Sequence, residues 1–438
     1  MLPRMSHSFG NVHRGSLSDH VCARHTVCGG LALCLFWFGA CLPNQGDGSN
    51  GPDASDSDGS TTPNDPISAE LSDEDSDLTL LPGDTVLRVH YPRNDALYGL
   101  MGLRGDGAGL SWASGRKMTK VRDGLYQAKF RGLSAKLEWK PLLNDALWSR
   151  GRNFVAEPGQ TVDVYPHFVT ASGRYLRIGS VASAILGNTR GVWLYLPPSF
   201  DENPEAVYPI LLMHDGQNLF DPRYAFGGRT WKVSETLNAG IDALDPARSL
   251  AEVVVVGPEN TDRRMYEYTP TKSSEPVYKD SGGGDLYLRF LVEELLPMVR
   301  SMETPVHLKG RLIQDAGKTT LAGSSLGGLI SAYAGVKKSD VFGRLGVFSP
   351  STWWDDRYIV GAVKSSRAKP SRVYVDSGDG GASGDDWRNT AELAQTYKDL
   401  GFRETVDFLY VKEPGGLHNE DAWARRLPAA LRFLLAGL

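Results

Sequence analysis

A chain of 438 residues is longer than one hydrophobic core usually serves, so at least two folded units are expected. The formal net charge of −5 is local: residues 41–84 hold 11 of the 52 acidic side chains and no lysine or arginine, while residues 85–438 carry 44 basic against 40 acidic side chains. A near-neutral folded part argues against nucleic acid as a partner, and four cysteines confined to the first 41 residues leave the rest without a disulfide framework or a thiolate metal site.

Residues 1–41 read as an export signal. Arg4, Arg14 and Arg24 supply a positive region, and "VCGGLALCLFWFGA" (27–40) supplies an apolar run too short to span a bilayer comfortably. The run ends in "FGAC", which resembles a bacterial lipobox and makes Cys41 the candidate lipidation site, although Phe38 departs from the usual aliphatic residue. A plain cleaved signal or an uncleaved anchor is the alternative. The expected location is the cell envelope, as a lipoprotein, or the medium. Residues 42–84 are Gly, Ser, Asp, Pro and Thr with few large apolar side chains, a composition that cannot offset ordering entropy and so reads as a solvated acidic linker.

Residues 85–168 change character. "TVLRVHYP", "LYQAKFRG", "AKLEWKPLL" and "QTVDVYPHF" are short β-rich runs separated by Gly, Asn and Asp turns, which predicts a small antiparallel β-sandwich. The stretch "LEWKPLLNDALWSRGRNF" (137–154) resembles part of starch-binding-type, immunoglobulin-like modules. That resemblance implies Trp112, Trp139 and Trp148 as sugar-stacking candidates, with core packing as the plainer role.

Residues 173–438 alternate strands with helices. Apolar runs at 191–197, 208–216, 252–257, 319–324, 344–349, 371–378 and 405–411 predict strands, and "LYLRFLVEELLPMV" (286–299) carries apolar residues at helical spacing. The pattern predicts an α/β fold with a mostly parallel sheet covered by helices on both faces.

Within it, "TTLAGSSLGGLISAYAG" (319–335) places Ser325 at the centre of G-x-S-x-G, where a buried strand turns into a helix. That setting is what a nucleophile elbow of the α/β-hydrolase fold requires. A serine needs a base oriented by an acid, and in this fold both follow it in the chain. Of nine histidines, His418 alone follows Ser325; it stands in "EPGGLHNEDAW" after the last predicted strand. The acid is expected in "DSGDGGASGDDW" (376–387). Asp386, just before a helix start, is preferred, with Asp385 and Asp379 as alternatives, while Asp376 fixes the turn. Leu326 N–H and a donor from "MHDGQNLFD" (213–221), Gly216 or Gln217, are the expected oxyanion donors. His214 reads as a loop organiser, since no second ligand stands at metal spacing. No metal or organic cofactor is implied.

The segments "LLMHDGQNLFD", "RMYEYTP", "DLYLRFLVEELLP", "LAGSSLGGL", "FSPSTWW" and "GLHNEDAWARR", in this order, resemble the putative esterase family of α/β hydrolases. Its members include enterochelin esterases, S-formylglutathione hydrolases, mycolyltransferases and feruloyl or acetyl-xylan esterases. The resemblance implies Ser325 as nucleophile, His418 as base, and Leu326 with the Gly216 loop as oxyanion donors. The acid loop is longer than is common in the family, so the acid stays open, as does a Ser–His pair without one. "NTDRRMYEYTP" (260–270) and "SPSTWW" (349–354) are expected to line the pocket, with Asn260, Arg264, Glu267, Tyr268, Trp354 and His214 as substrate-binding candidates and an Arg264–Glu267 pair as the rival use of Arg264. The expected function is hydrolysis of siderophore-type or polysaccharide-linked acyl esters. Acyl transfer on the same fold, or a glycan-binding surface lipoprotein with an idle hydrolase domain, are the alternatives.

Overall fold

The computed structural model describes residues 79–92 and 100–438. The predicted export signal, Cys41 and most of the acidic linker lie outside the described residues.

The first unit is built from nine short strands: β1 (Thr85–His90), β2 (Met101–Asp106), β3 (Arg116–Lys117), β4 (Thr119–Arg122), β5 (Leu125–Phe130), β6 (Leu137–Leu143), β7 (Leu147–Trp148), β8 (Phe154–Ala156) and β9 (Thr161–Val164). They form one sheet in the order β4-β5-β1-β9 and a second in the order β3-β2-β6-β7, with β8 paired to β6. Alternation places Leu87 and Val89 of β1 against Leu103, Leu137 and Trp139 of the other sheet. All pairings are antiparallel except β1 with β9, which is parallel.

The second unit is one eight-stranded sheet: β10 (Arg174–Ser183), β11 (Asn188–Leu196), β12 (Ile210–Met213), β13 (Val254–Pro258), β14 (Thr319–Ser325), β15 (Arg344–Pro350), β16 (Arg372–Gly378) and β17 (Phe408–Glu413). Its order is β10-β11-β13-β12-β14-β15-β16-β17, antiparallel at β10–β11–β13 and parallel from β13 to β17. This is the α/β-hydrolase fold. Successive side chains of β12 enter opposite cores: Ile210 and Leu212 pack with Leu288, Leu329 and Trp354, whereas Leu211 and Met213 pack with Val233, Trp423 and Leu427. Burial on both faces is why the central strands read as continuous apolar runs. Helices Val233–Ile241 and Glu420–Leu434 thus cover one face, and Leu326–Lys337, Trp354–Ser365 and Trp387–Asp399 cover the other.

The predicted helix at 286–299 is α-helical at Gly284–Arg289 and Leu296–Arg300 with a π-helical segment, Phe290–Leu295, between them. Pro297 lacks the N–H that would bond back to residue 293, and the ladder widens just before it.

The sandwich is tied to the hydrolase unit by polar contacts, one buried and one at the surface. Glu202 accepts hydrogen bonds from Tyr91 Oη (2.9 Å) and from the Phe168 and Thr170 amides (2.6 and 2.8 Å). Arg150 forks onto Asp242 at 3.0 and 2.8 Å.

Candidate active site

Parallel strands deliver their C-terminal ends to one edge of the sheet, and the predicted site residues follow β12, β14, β16 and β17 there. Ser325 ends β14 with φ 59° and ψ −122°. A non-glycine residue so held is strained, and such strain persists only where its surroundings enforce it. They do so here. A Cβ at Gly323 would lie 2.8 Å from the His214 ring, and one at Gly328 would lie 2.7 Å from the Phe348 carbonyl, so only glycines let the strand, helix and loop approach this closely. Ser325 Oγ lies 3.4 Å from Ser351 Oγ, and the Ser351 amide donates to the Ser325 carbonyl at 3.0 Å.

His418 sits in the loop after β17, its ring edge-on to Trp423 with centroids 5.2 Å apart. Its Nδ1 lies 2.5 Å from Asp385 Oδ1. The carboxylate that meets His418 is therefore that of Asp385, whereas Asp386, preferred from the sequence, bonds elsewhere. Asp385 is fully buried; its Oδ2 accepts from Ser349 Oγ (2.6 Å) and the Gly378 amide (2.5 Å). Burial alone would raise this carboxyl, but hydrogen bonds from His418, Ser349 and Gly378 overcome it and hold the group below the usual carboxylate range. An ionised Asp385 accepts a hydrogen bond from Nδ1–H, which keeps that proton on the ring and leaves the Nε2 lone pair free to accept one.

The neighbouring aspartates do other work. Asp386 turns away, accepting from the Trp353 amide (3.1 Å) and Asn389 Nδ2 (2.7 Å), and burial pushes its carboxyl up. Asp379 accepts from the Gly415 amide at 2.6 Å and pairs with Lys412, fixing the glycine loop before His418. Asp376 is buried and fixes the strand end, accepting from Arg426 Nε, Tyr374 Oη and the Ser349 amide at 2.9, 2.9 and 3.0 Å.

Leu326 N–H opens the helix Leu326–Lys337, where no intrahelical acceptor reaches it. Gly216 and Gln217 lie in a 3₁₀ turn after β12, entered through Asp215 in the left-handed region at φ 57°. A side chain at Gly216 would run into the Gly257 carbonyl, so glycine is what lets the turn fold down onto β13. Gln217 Oε1 accepts from the Asn260 amide at 3.2 Å.

The substrate-binding candidates are mostly engaged with the protein itself. Arg264 forks onto Asp215 at 2.8 and 2.9 Å, not onto Glu267, and Asn260 Nδ2 donates to the same carboxylate at 2.6 Å. Burial alone would raise Asp215, but Arg264 and Asn260 hold it below the usual carboxylate range. Glu267 is buried against Arg190 and Asn188. The Tyr268 hydroxyl is buried against the Asp215 amide and Tyr287, and Trp354 is buried with Nε1 3.2 Å from Thr271 Oγ1. His214 is buried with Nδ1 3.0 Å from Tyr287 Oη, and burial pushes its pKa down to about 3. Glu267, Tyr268, Trp354 and His214 are thus buried, each with a polar atom engaged by another protein group. Sequence reasoning expected the "SPSTWW" stretch to line the pocket but singled out only Trp354; within it Ser349 and Ser351 make the hydrogen bonds just described, and Trp353 rather than Trp354 is exposed, at 42%. In the sandwich Trp139 is wholly buried and cannot stack on a sugar, while Trp112 is exposed with its ring 6.2 Å from that of Trp148.

Residues 183–434 match the family model described as "Putative esterase". The chain belongs to this family. It is an esterase, a hydrolase of carboxylic esters. Among similar proteins, an uncharacterized protein named YbbA from Bacillus subtilis (strain 168) is 27% identical over 270 residues, covering 58% of this chain and 96% of its own. The iron(III) salmochelin esterase of Escherichia coli O6:H1 is 31% identical over 171 residues, which are 39% of this chain and 34% of that protein. The esterase thus spans about a third of that relative. An IroE-like serine hydrolase from Shewanella oneidensis superposes with a TM-score of 0.45 at 21% identity, covering 60% of this chain and 80% of that structure.

Proposed function

We infer that this esterase is a serine hydrolase working through Ser325, His418 and Asp385. The observation that carries the reading is the buried Asp385 carboxylate on His418 Nδ1, presented at the same sheet edge as a serine held at a strained elbow. His418 Nε2 takes the Ser325 Oγ proton as Oγ bonds to the ester carbonyl carbon. The carbonyl oxygen becomes an oxyanion held by Leu326 N–H and a donor of the Gly216–Gln217 turn, each such donor being worth roughly 10²–10³ in rate. The intermediate collapses, the C–O bond to the alcohol breaks, and the imidazolium returns its proton to that leaving oxygen. Water, activated by His418, then attacks the acyl-enzyme and frees the acid and Ser325.

The substrate class is a small-molecule or glycan-linked acyl ester of siderophore or polysaccharide type. Two relatives support the siderophore part of this reading by name, the iron(III) salmochelin esterase of Escherichia coli and the siderophore enterobactin esterase of Emericella nidulans. Export, with Cys41 as lipid attachment site, is part of the proposal and rests on residues 1–41; mass spectrometry of the mature N-terminus tests it, and an unprocessed Met1 would overturn it. The catalytic reading is tested by hydrolysis of p-nitrophenyl acetate and butyrate by the full chain beside Ser325→Ala and His418→Ala. Turnover by the native protein and loss in both folded variants is expected; full activity in Ser325→Ala would overturn it.

A further inference from the structure

The strained backbone around the site extends beyond the nucleophile. Asp385 and Asp386 are both left-handed (φ 50° and 54°), and so are three successive residues after the tryptophan pair, Asp355, Asp356 and Arg357 (φ 47°, 50° and 63°). Left-handed backbone is disfavoured for residues other than glycine, so both loops are held by their contacts. One hydrogen bond joins them: the Trp353 amide donates to Asp386 Oδ2 at 3.1 Å, while Asn389 Nδ2 holds Asp386 Oδ1 at 2.7 Å.

What this bond holds is a cluster of three mutually tilted aromatic rings. Trp354 is the buried anchor, and Tyr278 and Trp353 pack on it and on each other with centroids 5.3, 5.7 and 5.8 Å apart. Trp353 is 42% exposed. Its backbone lies two residues from Ser351, the hydroxyl partner of Ser325, and its amide is bonded to the residue following Asp385. An exposed indole whose backbone is tied to the segments carrying the nucleophile's neighbour and the acid is a candidate to receive part of the ester being cleaved.

We propose that Trp353 with Tyr278 forms the subsite for a flat ring carried by the ester, and that Asp386 is the positioning residue that sets this subsite through the Trp353 amide. This rests on the triad reading of Ser325, His418 and Asp385. Asp386 acts here as a hydrogen-bond acceptor, receiving the Trp353 amide and Asn389 Nδ2. Asparagine keeps both the acceptor and tolerance of left-handed backbone, whereas glycine keeps the backbone and removes the tether.

The test measures kcat and KM of the full chain for two ester pairs: p-nitrophenyl benzoate against acetate for the acyl side, and 2-naphthyl acetate against ethyl acetate for the alcohol side. In at least one pair the preference for the ring-bearing ester should fall about tenfold in Asp386→Gly, mainly through KM, as expected for a lost anchoring hydrogen bond. It should fall at least as far in Trp353→Ala and be retained in Asp386→Asn. The pH profile of the simple acetate should be the same in all three. A preference unchanged in both Asp386→Gly and Trp353→Ala would overturn the subsite. A fall in Trp353→Ala alone would overturn the role of Asp386. Loss of acetate turnover in Asp386→Gly as deep as in Asp385→Asn would also overturn it, by placing Asp386 in the triad. A native protein inactive on all four esters would instead overturn the triad reading beneath it.

Discussion

Asp385 Oδ1 meets His418 Nδ1 at 2.5 Å, joining the loop after β16 to the loop after β17. The contact is preorganised from behind, because Ser349 Oγ, which donates to Asp385, itself accepts from Trp423 Nε1 (3.0 Å) and Arg426 Nη2 (2.8 Å). The acid is therefore fixed by the last helix, which also follows His418 directly.

Asp385→Asn keeps the shape but removes the charge that selects the imidazole tautomer. A fall in kcat of about 10³–10⁴ is expected for p-nitrophenyl acetate, with KM changed little. Asp386→Asn should lose far less. Equal losses in the two variants would show that the hydrogen bond to His418 does not identify the acid.

Gly216→Ala probes the oxyanion turn. The new Cβ runs into the Gly257 carbonyl and must push the turn off β13. Since donors act only when aimed at the developing oxyanion, kcat should fall by roughly 10²-fold or more while the fold, read by circular dichroism, is kept. Unaltered kcat would remove this turn from the oxyanion site.

Arg264→Ala strips the fork from the buried Asp215 carboxylate. An uncompensated buried charge costs roughly 3 kcal/mol, so the denaturant midpoint should drop clearly, and Arg264→Lys should recover part of the loss. The double variant Arg264→Ala with Asp215→Asn should be more stable than Arg264→Ala alone. If it is not, the pair is not what holds the turn.

His214 gives a pH-linked prediction. Its folded pKa is pushed down to about 3 by burial, against an ordinary value of about 6.5. Between these values the unfolded chain holds a proton that the folded chain lacks, so stability rises with pH there and is lost as pH falls toward 3. Unfolding of the native protein should take up about one more proton than unfolding of His214→Asn in that range. Identical slopes of stability against pH would contradict the buried neutral imidazole.

The central strands and the elbow were legible because burial on both faces leaves unbroken apolar runs, and because only glycines tolerate the packing around Ser325. β10 was not, since Arg174–Ser183 is an edge strand whose mixed exposure leaves no such run. Choosing between Asp385 and Asp386 required the left-handed turn of both residues, which points their carboxylates in different directions and has no signature in a loop already rich in Gly and Asp. Trp353 and Trp354 exchanged roles for a similar reason: both pack on Tyr278, but one is buried and the other lies open, and adjacency in sequence cannot say which. Glu267 attracted attention as a charge beside Arg264, but its partner, Arg190, comes from β11, a long-range pairing invisible to local spacing.

The most direct test of the mechanism is covalent capture. The full chain, treated with a fluorophosphonate that mimics the tetrahedral intermediate, should gain one adduct, located by mass spectrometry on Ser325. Labelling should vanish in His418→Ala and slow markedly in Asp385→Asn. An adduct on Ser351, whose hydroxyl lies 3.4 Å away, or none on an active native protein, would contradict Ser325 as the nucleophile.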